Sequence, residues 1–269
     1  MNTENIKNQA RQIRRDIIEM TYSAGSGHPG GSLSSAEIMA VLYFHTLQHQ
    51  PKDPGWEGRD RFYLSKGHAC PVLYAALAEA GYFDRSLLKT FRHLGSQLQG
   101  HPHRLKTPGV EASSGSLGQG LSLAAGTALG LKMDQKPGRV FCLLGDGELQ
   151  EGQVWEAAMA AGHFKLNNLC AVVDHNNLQI DGPVEQVMGI EPLADKWRAF
   201  RWQVIEVDGH NIQHLVRAFD FARGIKDKPA VILAKTVKGK GVSFMENRAE
   251  WHGRAPNKEE HDKALAELR

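Results

Sequence analysis

Charge of one sign is lacking: 32 Lys and Arg stand against 30 Asp and Glu, a formal net charge of +2. No stretch carries five or six like charges, so the chain offers no broad field for nucleic acid or an anionic membrane, and any anion it binds must be held locally. Cysteine is scarce. Cys70, Cys142 and Cys170 are scattered through apolar surroundings with no C-x-x-C pair, the pattern of reduced, buried thiols and not of a disulfide framework. Long apolar runs are missing too, and with no window of about 18 uncharged apolar residues a helical membrane span is excluded. The N-terminal stretch MNTENIKNQARQIRR is polar from its first residue and has no apolar core of a secretory leader. These absences together point to the cytoplasm. Repeats, low-complexity tracts and Pro/Gly/Ser linkers are likewise lacking, so residues 1–269 are read as one domain.

Glycine and histidine, by contrast, are plentiful at 28 and 13 residues, and several histidines sit beside Gly or Pro, which points to a site built on loops. Ile6, Ala10, Ile13, Ile17 and Met20 recur three or four apart and predict a helix over residues 4–22. The Gly-rich segment 23–32 reads as a loop, with Ser34 and Glu37 as a capping box opening a second helix. Runs rich in Val, Ile, Leu and Phe at 61–65, 139–145, 169–175, 202–209 and 229–236 read as buried strands. Helical patterns at 70–80, 117–132, 150–162 and 211–224 lie between them, with Gly81 and Gly224 where C-caps belong. Strand alternating with helix gives the fold class: α/β, a three-layer, doubly wound, mostly parallel sheet. The loops at 95–116 and 237–256 are of a length that compact domains reserve for function.

Ligands of open parallel sheets bind beyond the carboxyl ends of the strands. Those ends are Lys66-Gly67-His68, Asp146-Gly147-Glu148, Asn176-Asn177, Asp208-Gly209-His210 and Lys238-Gly239-Lys240, so five exits aim small or polar residues at one rim. In GDGE (145–148) the glycines admit a bulky anion, the carboxylate is a hard oxygen ligand for Mg²⁺, and the start of the following helix favours phosphate. GDG also occurs in tight turns and in aspartyl-phosphate phosphatases, but those need a D-x-D pair that this chain lacks. Asp146 and Asn176 lie 30 residues apart, the length of one βαβ unit. A carboxylate and an amide oxygen so placed can share a Mg²⁺ whose other sites go to a carbonyl, water and phosphate oxygens. An Asx-turn is the other reading of Asn176. His210 and His214 stand four apart without a third ligand motif and read as a solvated face, and His103, His163 and His175 receive no site role.

The stretch GDGELQEGQVWEAAMAAGHFKLNNLCAVVDHNN resembles the thiamine-diphosphate motif. SGHPGGSLS (26–34), YLSKGHA (63–69), GHP (100–102), GSLGQGLSLAAG (115–126), NNLQIDG (176–182) and EWHGRAPN (250–257) narrow the resemblance to the transketolase family. It runs over nearly the whole chain and covers the diphosphate-binding half of a transketolase, as in the N-terminal subunit of split transketolases. The resemblance implies that Asp146, Asn176 and the backbone oxygen of Leu178 ligate Mg²⁺, with Gly147 allowing close approach of the diphosphate. It further implies that His68 and Lys238 contact the diphosphate end, that Gly115 and Leu117 meet the aminopyrimidine, and that His252 lies within reach of the cofactor. His28, His101 and His252 match catalytic histidines of the substrate channel, where imidazole suits the removal and return of hydroxyl protons near neutral pH. Gly30-Gly31 replaces a more substituted pair of full-length members, and Ser116 stands where many bacterial and yeast members carry Pro.

The activity implied is transfer of a two-carbon ketol unit from a ketose or ketose phosphate to an aldose or aldose phosphate. The family's activating glutamate belongs to a pyrimidine-binding domain, expected on a separate C-terminal subunit together with arginines for the sugar phosphate. Two copies of each chain would form a heterotetramer. Glu151 and Glu156 match interface positions, or are ordinary exposed helix acids. The rival readings are another thiamine-diphosphate subunit, of the 2-oxo acid dehydrogenase α or deoxyxylulose-phosphate synthase kind, and a non-catalytic module that binds a diphosphate.

Overall fold

The computed structural model describes residues 3–269; Met1 and Asn2, which open the polar N-terminal stretch, lie outside the described residues. In chain order the helices are α1 (Thr3–Ala24), α2 (Pro29–Leu33), α3 (Ala36–Val41), α4 (Cys70–Ala80), α5 (Gln119–Met133), α6 (Gly152–His163), α7 (Val184–Met188), α8 (Leu193–Ala199), α9 (Ile212–Gly224) and α10 (Lys258–Glu267). The strands are β1 (Arg61–Leu64), β2 (Val140–Gly145), β3 (Leu169–His175), β4 (Leu178–Gln179), β5 (Gly182–Pro183), β6 (Gln203–Asp208) and β7 (Ala230–Lys235).

Five strands form one all-parallel sheet in the order β1-β2-β3-β7-β6. Alternation along each strand divides the interior into two cores. Phe141, Leu143, Cys170, Val172 and Ile232 pack with Ile13, Ile17, Leu73 and Phe219 of α1, α4 and α9. Val140, Cys142, Leu144, Ala171, Val173 and Val231 pack with Leu121, Val154, Ala158 and Trp197 of α5, α6 and α8. Burial on both faces is why these strands read as unbroken apolar runs. The three cysteines are buried and free, as their surroundings suggest. Among the described residues no helix is long and apolar enough to cross a membrane.

Several local expectations need correction. Residues 29–33, expected as loop, form α2, because Pro29 starts a turn and tight packing overrides glycine's preference: a Cβ on Gly30 would stand 2.8 Å from the Trp251 carbonyl oxygen. The Ser34–Glu37 capping box does not form. Ser34 Oγ instead donates to Asp174 at 2.5 Å, and Glu37 takes Arg14 at 2.5 Å, since buried charges outcompete a local cap. Gly81 closes α4 in the left-handed conformation (φ 90°), whereas Gly224 is the last helical residue of α9 and the cap falls on Ile225. Helix α5 starts only after Gly118, itself left-handed at φ 81°, and α6 starts after a 3₁₀ turn over Gly147–Gln150. Helices α7, α8 and α10 and the β4–β5 hairpin add to the expected elements; α10 is opened by an Asn257–Glu260 capping box.

Candidate active site

The exits of β1, β2, β3 and β7 open onto one cavity of about 400 Å³. Strands β2 and β3 are neighbours with Gly145 in register with Asp174, so Asp146 and Asn176 leave the sheet side by side. Asp146 is buried; its Oδ2 accepts from the Asn177 amide at 2.5 Å and its Oδ1 from the Gly147 amide at 2.8 Å. Asn177 closes this loop in the left-handed conformation (φ 63°), which asparagine tolerates. Asn176 does form the Asx-turn: its Oδ1 accepts from the Leu178 amide at 3.1 Å, while its Nδ2 donates to Asp174 at 3.2 Å. The turn leaves the second lone pair of Oδ1 free. Lys238 Nζ donates to the Leu178 carbonyl oxygen at 3.0 Å, so a cationic group already rests on that oxygen.

Carboxylate, amide and carbonyl oxygens are the hard donors that Mg²⁺ takes, and the buried ammonium beside them suits phosphate. Among the described residues no group of three His, Cys, Asp or Glu makes a metal site by itself. A Cβ on Gly147 would stand 3.1 Å from Gln179 Cβ, and one on Gly31 would meet only the tips of Lys66 and His68, at 3.8 and 3.9 Å. With glycine at 31, that wall stays open.

Beneath these donors lies a buried network that sequence reasoning misses. Asp174 is fully buried, ion-paired with Lys66, and accepts from Ser34, Ser35, Thr236 and Asn176. Burial pushes its carboxyl up, but the Lys66 ammonium and the hydrogen bonds outweigh it and hold the group at about 2. A signal was present: a carboxylate closing an apolar strand needs a buried partner. Glu148, also buried, accepts from Ser65, from the Gly118 amide at 2.9 Å and from the Gly145 amide at 3.0 Å, which ties the loop carrying Gly115 and Leu117 to the GDG turn. Burial raises its pKa.

Lys238 is buried at 2% exposure, not solvated; burial first, then repulsion by Lys66, brings its pKa down to about 8. His28, His68 and His252 form a triangle with ring centroids 5.0, 5.2 and 5.5 Å apart, so His68 belongs with the supposed channel histidines. Burial, aided by neighbouring cations, lowers His28 to about 4, His252 to about 3 and His68 to about 2. All three are neutral at pH 7. His252 Nδ1 lies 3.1 Å from the Lys238 ammonium, which can only donate, so the ring proton of His252 sits on Nε2. His28 Nδ1 is buried without a partner.

His101 stands apart from this triangle. It is exposed and does not line the cavity; its ring covers Gly115, 3.3 Å from where a Cβ would be, and burial with Arg92 lowers its pKa. Every other predicted site residue is in the cavity wall: His28, His68, Gly115, Leu117, Asp146, Gly147, Asn176, Leu178, Lys238 and His252. The β6 exit is absent from it. His210, read as part of a solvated face, is half-buried between Glu37 and the Val237 amide, while His214 is exposed.

Comparison with known proteins agrees with this geometry. The family described as "Transketolase, thiamine diphosphate binding domain" matches residues 3–268. The chain is 46% identical over 263 residues to a 6-deoxy-6-sulfo-D-fructose transketolase subunit of Clostridium sp., covering 98% of this chain and 96% of that protein. It is 40% identical over 268 residues to an apulose-4-phosphate transketolase subunit of Phocaeicola vulgatus, covering 100% of this chain and 95% of that one. Human transketolase is 43% identical over 264 residues, and here the chain covers only 42% of its relative. The crystal structure of transketolase from Campylobacter jejuni superposes with a TM-score of 0.94 at 37% identity, over 100% of this chain and 43% of that one. These relatives are transketolases, which disfavours the 2-oxo acid dehydrogenase, deoxyxylulose-phosphate synthase and non-catalytic readings. The chain thus belongs to the transketolase family, as its thiamine-diphosphate-binding domain.

Proposed function

We propose that residues 1–269 form a single diphosphate-binding domain and act as one half of a two-chain transketolase, which moves a two-carbon ketol unit from a ketose or ketose phosphate to an aldose or aldose phosphate. One observation carries the reading: cation donors, a buried lysine and neutral histidines line a single cavity at the edge of the sheet. Asp146, Asn176 and the Leu178 carbonyl would hold Mg²⁺, while Lys238 and His68 face the diphosphate. Gly115 and Leu117 would form the floor for the aminopyrimidine, braced from behind by Glu148. Thiamine diphosphate, when bound, supplies the carbon nucleophile that carries the two-carbon unit. The protein supplies orientation and proton traffic. A neutral imidazole can take a hydroxyl proton at its free nitrogen or hold the hydroxyl by its N–H, and His252 offers that N–H at Nε2. His28 stands beside His252 in the cavity wall, while His101 packs over Gly115 of that wall.

Relatives that this chain covers almost end to end are named subunits, whereas it spans about two fifths of human transketolase, which supports a partner chain carrying the pyrimidine-binding domain. The assembly we infer is a heterotetramer with two copies of each chain, with the exposed Glu151 and Glu156 near the contact. Buried, unpaired thiols support a reducing compartment, the cytoplasm. The named relatives differ in their sugars, so the family supports ketol transfer and not one particular sugar.

Two experiments test this. The purified chain with thiamine diphosphate and Mg²⁺ should show no ketol transfer until its partner is added; full transfer by the chain alone would refute the split reading. In the complete enzyme His101→Ala should spare cofactor affinity and slow turnover about 10- to 100-fold.

A further inference from the structure

Lys238 is only as well placed as the loop that carries it. Segment 237–240 leaves β7 without regular structure; besides its own turn, in which the Lys240 and Val242 amides donate to the Val237 and Gly239 carbonyls, its backbone is tied at four points. The Val237 amide donates to His210 Nε2 at 2.8 Å, the Lys238 carbonyl accepts from the Asn247 amide at 2.9 Å, the Gly239 amide donates to the Gly30 carbonyl at 3.0 Å, and the Lys240 carbonyl accepts from Arg14 Nε at 2.8 Å. The first and last ties belong to one chain of charge: Arg14 pairs with Glu37 Oε2 at 2.5 Å, and the same oxygen meets His210 Nδ1 at 3.0 Å.

The tautomer follows from the donors. An amide N–H can only donate, so His210 Nε2 is the acceptor and its proton sits on Nδ1, aimed at Glu37. Burial opposes a charge on Glu37, but Arg14 and the His210 hydrogen bond outweigh it and hold the carboxyl at about 2, so the brace is anionic at its centre. Gly209 gives the imidazole its reach: a Cβ there would stand 2.5 Å from Thr236 Cγ2, so only glycine lets the β6 exit lie against the end of β7. A histidine on a solvated face would need none of these contacts.

We propose that His210, held in its Nδ1–H form by Glu37, is a positioning residue: through the Val237 amide it sets the loop that presents Lys238 to the cofactor's diphosphate. With Glu37 it borders a separate cavity of about 490 Å³ and does not line the one that Lys238 lines. The inference rests on the thiamine-diphosphate reading of that cavity.

The test compares wild type, His210→Ala and His210→Gln, the last keeping an acceptor oxygen near the Nε2 position. Amide hydrogen exchange over residues 236–241 is measured on the full chain without cofactor, and binding of thiamine diphosphate with Mg²⁺ by calorimetry on the chain with its partner. His210→Ala should speed exchange of this segment and weaken cofactor binding about tenfold or more, as loss of a supporting partner does, with kcat at saturating cofactor within about twofold. His210→Gln should recover most of both. Unchanged exchange in His210→Ala, a fall in kcat at unchanged cofactor affinity, or no recovery in His210→Gln overturns the proposal. Should the Ala variant fail to fold, ¹⁵N shifts of His210 in the wild type decide: the Nδ1–H tautomer near neutral pH supports the brace, and the Nε2–H tautomer or an imidazolium overturns it. Failure of the cavity reading looks different, since a wild-type complex would then bind no thiamine diphosphate at all, and the role at the diphosphate would fall with it.

Discussion

Charged residues inside this protein are supported in pairs or networks, and the cost of unpairing them is where single substitutions act most strongly. Asp174 has no exposed surface and carries Lys66, two serines, Thr236 and Asn176 on one carboxylate. Asp174→Ala strands a buried ammonium, so denaturant unfolding should show a loss of about 3–5 kcal/mol, most of it recovered when Lys66 is also replaced by Met. Glu37 gives a pH signature. Its folded pKa, about 2, lies below the ordinary 4.5, so the stability it contributes is full above 4.5 and is lost as pH falls through 2. Wild type should therefore lose stability more steeply than Glu37→Gln across that acid window, by on the order of 3 kcal/mol in unfolding titrations. At this scale the sequence is half legible. Asp146 and Asn176 stand out because GDG and NN flank one βαβ unit, whereas Asp174, Glu148 and His210 work through contacts between segments far apart in the chain, which no local spacing records.

Secondary elements are read best where one force decides them. The five sheet strands follow from apolar runs buried on both faces, and α4 runs over the predicted residues, from Cys70 to the last residue before Gly81. Misreadings fall where packing overrules propensity, as in α2, or where an element is two residues long, as in the β4–β5 hairpin over the cavity. The same packing separates the glycines. A Cβ on Gly120 would stand 2.4 Å from Ser65 Cβ, pushing α5 off the Ser65–Glu148 contact, while one on Gly126 of the same helix meets nothing. Gly120→Ala should lower stability by about 1–3 kcal/mol and Gly126→Ala should leave it unchanged or raise it by up to about 1 kcal/mol, read as opposite shifts in thermal midpoint.

At the scale of the whole molecule, Ile180 in the β4–β5 turn and Met188 at the end of α7 are large apolar side chains left exposed beside the cavity, which Ile180 lines and whose Gln150 donates to the Met188 carbonyl. A partner seated over the mouth would cover such a patch and complete the cavity from the other side. Met188→Asp should abolish copurification of the partner while the chain keeps its circular dichroism and thermal midpoint. A variant that still pairs would move the interface elsewhere. The fold class is legible from strand–helix alternation alone, but the proposal of a second chain comes from the family resemblance, because a partner leaves no trace in local periodicity.

Electron paramagnetic resonance of Mn²⁺, titrated into the chain and its partner with thiamine diphosphate present, reads the central claim without assaying turnover. Wild type should bind about one ion per copy of this chain, and replacing both Asp146 and Asn176 by alanine should weaken that uptake about 100-fold with the fold intact. Uptake by the double variant at wild-type affinity would place the cation elsewhere and contradict the account.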